Sequence, residues 1–248
     1  MPERPDAASP ARPRVLVEVL LTYALCSGLA ALAYRVRALD EWFNVVVAAL
    51  FLYAPAWVLR RRDLADYGLT ARPLGANLAL AAVVAAVVLP PFFAGFYLWA
   101  HAACVVPALR ELSPTRCGPG GPWPTVLRLP PGILSLDPRR NLLLAELLVV
   151  ALPEEFFFRG YVQGRLSEVF SAGRRLLGAN VGVAVVLASA LFALSHVIVQ
   201  GRPTTLAVFF PGLVFGWMRA RSGSILPGTL FHALCNVYID TLARSARN

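Results

Sequence analysis

Polar positions in this chain come in bunches, and the apolar stretches between them are too long and too numerous for the core of a soluble domain. Val15 to Tyr34 is about 20 residues, enough at 1.5 Å per residue to cross the hydrocarbon of a bilayer. Trp42 to Leu59 is a second run, with Trp42 and Trp57 placed as interface residues and Arg60-Arg61-Arg62 closing it. Asn77 to about Val106 is a third, too long for one straight crossing and interrupted by Pro90-Pro91, which predicts a kink or an interfacial continuation. A fourth helix begins near Asn141, is disturbed at Pro153 and continues as a more amphipathic segment to Phe170. A polar turn, Ser171 to Gly178, leads to a fifth helix over Ala179 to Val199. Pro203 to Ala220 is the sixth, with Gly212-x-x-x-Gly216 available for close helix contact, and the seventh starts near Pro227. The pattern predicts an all-α fold, a polytopic membrane helix bundle of seven transmembrane helices, or eight if residues 77–140 hide another crossing.

The same pattern predicts how the chain is divided. Residues 1–14, rich in Pro, Ala and Arg, form a flexible tail; 15–106 make an N-terminal three-helix membrane part; 107–140 form an extramembrane Gly/Pro-rich loop. Residues 141–243 make a four-helix core that carries every chemical motif, and 244–248 are a short tail. The first run could also be a secretory signal peptide cleaved after Ala31-Leu-Ala33, but its length favours a retained helix, with Glu18 as a solvated end residue.

Composition agrees with a membrane protein: 248 residues, 58% hydrophobic and 15% charged, with a mean hydropathy of +0.63. All 23 basic residues are arginine, a bias that fits a GC-rich bacterial coding sequence. They cluster between apolar runs, so the net charge of +9 marks membrane flanks and gives no ground for nucleic-acid binding. Counted over the short segments, the arginines favour a cytoplasmic N-terminus and a C-terminus on the other side. The four cysteines lack Cys-x-x-Cys spacing, and only Cys104 with Cys117 suits a disulfide, on the oxidising side.

Charges inside apolar helices cost roughly 2.5 to 3.5 kcal/mol each on insertion scales, so those present need a purpose. Glu154, Glu155 and Arg159 end the apolar run from Asn141 to Leu152. Glu155 and Arg159 are four apart and can pair, which leaves Glu154, about 100° round the helix, facing elsewhere. Phe192 and His196 are four apart in the fifth helix, and His232 and Asn236 are four apart in the seventh. Counted from the intervening turn, Glu154 and His196 fall at about the same height on antiparallel neighbours. His101, at the end of the third run, reads as an ordinary interfacial histidine.

Taken in order, Glu154-Glu155-x-x-x-Arg159, Phe192-x-x-x-His196 and His232-x-x-x-Asn236 resemble the motifs of the CAAX prenyl protease and bacteriocin-processing (CPBP, or ABI) family of intramembrane proteases. The resemblance implies a glutamic-type peptidase. Glu154 and His196 would activate water and return a proton to the leaving amine, and His232 and Asn236 would hold the oxyanion. Glu155, Arg159 and Phe192 would support them. It implies no cofactor; the mechanistic alternative is a catalytic zinc on Glu154, His196 and His232, although the chain has no His-Glu-x-x-His. The expected partners are the lipid bilayer and a membrane-anchored protein or peptide substrate, cut during maturation or C-terminal sorting-signal processing in a bacterial inner membrane. A non-catalytic membrane immunity or scaffold protein with the same fold is the competing function. A small transporter is disfavoured by the lack of repeated halves.

Overall fold

A computed structural model describes residues 12–112, 117, 124, 126–133, 135–137, 140–170 and 173–246 of the chain. It is mostly helical, 77%. Among the described residues, four helices are long and apolar enough to cross a membrane: α1 (Arg12–Arg35), the segment Arg37–Val58 that ends in α2 (Phe43–Val58), α3 (Leu74–Val105) and α5 (Val183–Gln200). Residues 142–169 are helical throughout and are called α4 here; α6 is Phe209–Ser222 and α7 is Leu226–Ser245. Most of the expected tail over residues 1–14, and the Gly118–Pro122 run of the long connection, lie outside the described residues.

The described chain packs into two compact units that interleave in sequence: residues 1–70 with 153–225, and 71–152 with 226–248. In the first unit, Phe51 of α2 stacks on Phe157 of α4 with ring centres 4.5 Å apart, and Phe158 meets Phe51, Tyr23 and Phe192 edge-on. The run Phe156-Phe157-Phe158 is therefore the core of this unit, fully buried along with Tyr161 and Val162. In the second unit Tyr97 of α3 and Leu242 of α7 are completely enclosed, and the Tyr97 hydroxyl donates to the Leu242 carbonyl at 3.2 Å. Pro90 and Pro91 sit inside α3 without ending it. A disulfide joins Cys104, in the last turn of α3, to Cys117.

Three local features depart from the sequence expectation. The polar turn is a β-hairpin, β1 (Arg174–Leu176) against β2 (Ala179–Val181), so α5 starts at Val183 rather than Ala179. Its two-residue loop puts Leu177 (φ 46°) and Gly178 (φ 81°) both at positive φ, the requirement of the hairpin turn whose twist matches its strands.

α4 is not uniform: wide π-type turns over Glu146–Ala151 and Phe156–Val162 alternate with α-helical turns. Such turns are commonly found at functional positions. Asn141 caps the start, its side chain accepting from the Leu144 N–H at 2.9 Å.

Glu18 is no solvated end residue. Arg165, almost fully buried, donates to both of its carboxylate oxygens at 2.8 and 3.0 Å. Arg165 also pairs with Glu168, which accepts from Tyr67 at 2.6 Å and Arg62 at 2.9 Å. Burial, and then the Glu168 carboxylate, push the Tyr67 phenol above its ordinary pKa, so it stays a donor. The network fixes the polar end of α4 to α1 and to the loop after α2.

Candidate functional site

In the first unit the site begins with a charge held away from water. Glu155 is 0% exposed and Arg159, one turn on, is 1% exposed; their closest atoms are 3.5 Å apart. Arg159 Nη2 donates to the Gly212 carbonyl at 3.3 Å, and the guanidinium carbon lies 4.4 Å from the centre of the Phe192 ring, 5.2 Å from Phe215 and 5.9 Å from Phe158. A desolvated cation over an aromatic face gains about 2 kcal/mol, so the three rings help replace the water the arginine has lost.

Glycine makes this approach possible. A Cβ on Gly212 would stand 3.2 Å from Ser189 and 3.4 Å from both Arg159 and Phe192. The Gly212-x-x-x-Gly216 spacing thus seats α6 against α4 and α5, and Gln163 Nε2 repeats the pattern one turn on by donating to the Gly216 carbonyl at 3.0 Å.

From Arg159 the contacts lead to the first histidine. The His196 ring lies edge-on to Phe192, 4.6 Å between centres, and its Nδ1 is 2.9 Å from the Phe192 carbonyl oxygen. A carbonyl can only accept, so Nδ1 carries the proton, and in the neutral ring Nε2 is left with a lone pair to offer. The i, i+4 spacing therefore does two things: it sets the rings edge to face and it sets the tautomer.

Glu154 is half-buried on the helix that carries Glu155, with its Oε2 shielded from solvent, and it adds to the field on Arg159 after Glu155. The structure thus brings Glu155, Arg159, Phe192 and His196 into one run of contacts, with Glu154 on the same segment of α4.

The other two residues belong to the second unit. His232 is buried on α7, and Asn236, one turn later, is half-buried. Asn236 Nδ2 donates to Glu146 Oε2 at 2.9 Å. That bond identifies the amide nitrogen, because a carboxylate accepts, and it uses one of the two N–H bonds on Nδ2. Glu146 is a partner of Asn236 that the sequence reading did not place in the candidate site. Its signal was the same as that of Glu154, a carboxylate in an apolar run, but its partner lies 90 residues away in the chain and no spacing reveals that. Within either unit, no three His, Cys, Asp or Glu side chains among the described residues are grouped to hold a metal ion.

Residues 140–238 match the family model described as type II CAAX prenyl endopeptidase Rce1-like. The matched stretch takes in Glu146, Glu154, Glu155, Arg159, Phe192, His196, His232 and Asn236, and it makes this part of the chain similar to CAAX-type intramembrane proteases. With the four long apolar helices it also marks a membrane protein. Comparison with curated proteins gives no match, nor does comparison with solved structures.

Proposed function

We propose that the chain is an intramembrane endopeptidase that hydrolyses a peptide bond in a membrane-associated protein or peptide, in maturation or in processing of a C-terminal sorting signal, at a bacterial cell membrane. The observation that carries the reading is the His196 tautomer: with Nδ1–H bonded to a carbonyl inside an apolar helix, Nε2 is left as an acceptor that can hold the attacking water for Glu154. The match over residues 140–238 supplies the reaction class.

In this mechanism Glu154 and His196 activate water. Glu154 takes the proton as hydroxide adds to the scissile carbonyl, then passes it to the leaving nitrogen as the C–N bond breaks. His232 and the second N–H of Asn236 stabilise the oxyanion, with Glu146 fixing the amide. Glu155 and Arg159 act as positioning residues through Phe192. We propose that no metal takes part. The fixed Nδ1–H tautomer would equally suit a zinc ligand at Nε2, so metal chelation separates the two mechanisms.

The test compares protein termini in membranes of the source cells with the wild-type gene, with the gene deleted, and with Glu154→Gln. At least one membrane protein should keep an uncut terminus in both the deletion and the variant. If Glu154→Gln restores every terminus lost on deletion, the chain is a non-catalytic scaffold or immunity protein instead.

A further inference from the structure

The first unit contains a second polar site that shares only Arg159 with the proposed hydrolysis. It is a cavity of about 330 Å³ at the loop end of the unit, lined by Arg159, Gln163, Asn180, Gly182, Ala184 and Arg219 among others. Its volume is at the lower end of the range for small-molecule sites. We propose that this cavity binds a phosphate group, carried by an anionic lipid headgroup or free in solution.

Three features describe the ligand: two favour an anion, and the third a hydroxyl beside it. First, α5 starts here. Gly182 is its N-cap and offers no side chain to the first turn, so the helix presents uncapped N–H donors and the positive end of an 18-residue dipole to the cavity that Gly182 and Ala184 line. Second, two of the arginines that line the cavity carry buried donors. Arg159 Nη1 and Arg219 Nε are enclosed and have no hydrogen-bond acceptor among the described residues, whereas such groups are normally satisfied. Arg159 is 99% buried, so bulk water does not serve it. Third, buried Gln163 Oε1 accepts no hydrogen bond among the described residues, while Nε2 of the same side chain is committed to Gly216. This atom calls for a hydroxyl or a bound water beside the anion.

The one carboxylate on the lining, Asp66, is exposed at the rim, and Arg219 donates to its backbone carbonyl at 2.8 Å. The guanidinium of Arg219 also covers Gly68, whose φ of 86° and missing Cβ allow that approach.

Position narrows the source of the phosphate. The surrounding loops carry Arg60–Arg62, Arg174, Arg175 and Arg221, the arginines that the positive-inside bias assigns to the cytoplasm. Anionic lipids enrich that leaflet, and clustered arginines draw their headgroups.

The experiment uses the full-length protein in a neutral detergent and follows thermal unfolding during titration. One arm adds phosphatidylglycerol with phosphatidylcholine as control; the other adds inorganic phosphate with sodium chloride at matched ionic strength. A saturable rise in Tm with phosphatidylglycerol alone assigns a lipid headgroup, and a rise with inorganic phosphate assigns the free anion.

Two variants locate the site. Arg219→Gln removes a donor, and Asn180→Asp, isosteric and exposed, adds a negative charge without disturbing packing; each should weaken binding at least tenfold. No saturable response in either arm, or unchanged affinity in Asn180→Asp, overturns the proposal. No cleavage is measured, so the result is independent of the protease reading.

Discussion

Changing Glu155 to Gln separates support from chemistry. The substitution keeps the shape of the side chain and removes one of two opposite charges 3.5 Å apart in a fully buried pair. At an effective dielectric constant of 20, that attraction is roughly 5 kcal/mol. Breaking a buried pair by removing one partner commonly costs about 3 to 5 kcal/mol, because the remaining ion stays buried. Here the three rings around Arg159 and its bond to Gly212 persist, which favours the lower figure. For a chain of this length each kcal/mol moves Tm by about 2 to 4 °C, so Glu155→Gln should melt roughly 6 to 12 °C below wild type. A thiol-reactive dye reports the transition, since Cys26 is free and buried until the chain unfolds. Adding Arg159→Met to Glu155→Gln should recover part of the loss by removing the stranded charge. A Tm within 2 °C of wild type for Glu155→Gln, or a further fall in the double variant, would refute the claim that this pair supports the helix.

The remaining expectations follow the same geometry. Glu146→Ala should lower kcat about tenfold with little change in KM, because Asn236 loses the partner that aims its amide; Glu146→Gln, which can still accept, should restore most of the rate. Gly212→Val should cost about 1 to 3 kcal/mol in thermal stability, since its first carbon alone falls within 3.4 Å of Ser189, Arg159 and Phe192. A strong chelator should leave steady-state cleavage unchanged; activity lost to the chelator and regained with zinc would move Glu154, His196 and His232 into a metal site.

What could be read from the chain alone follows from the range of each interaction. The long apolar helices α1, α3 and α5 announce themselves because hydropathy is summed over many residues, and the pairs Glu155–Arg159 and Phe192–His196 because helical spacing brings fourth neighbours together. The hairpin before α5 was hidden: its strands are three residues each, and half of its turn is Leu177, an unusual residue at positive φ. The π-type turns in α4 leave no compositional trace. Glu18 read as a solvated end because its partner, Arg165, lies 147 residues away, and Glu146 escaped for the same reason. Long-range polar pairing is a property of packing, and the sequence carries only the cost that makes it necessary.

The central claim is that Glu154 performs chemistry while its neighbour performs support. The direct measurement is the cleavage rate of a processed membrane substrate by purified wild-type protein and by Glu154→Gln, alongside the Tm of each. Glu154 is half-buried where Glu155 is enclosed, so Glu154→Gln should melt within about 2 °C of wild type and lose at least a hundredfold in kcat. Equal cleavage by the two proteins at equal stability would contradict the account.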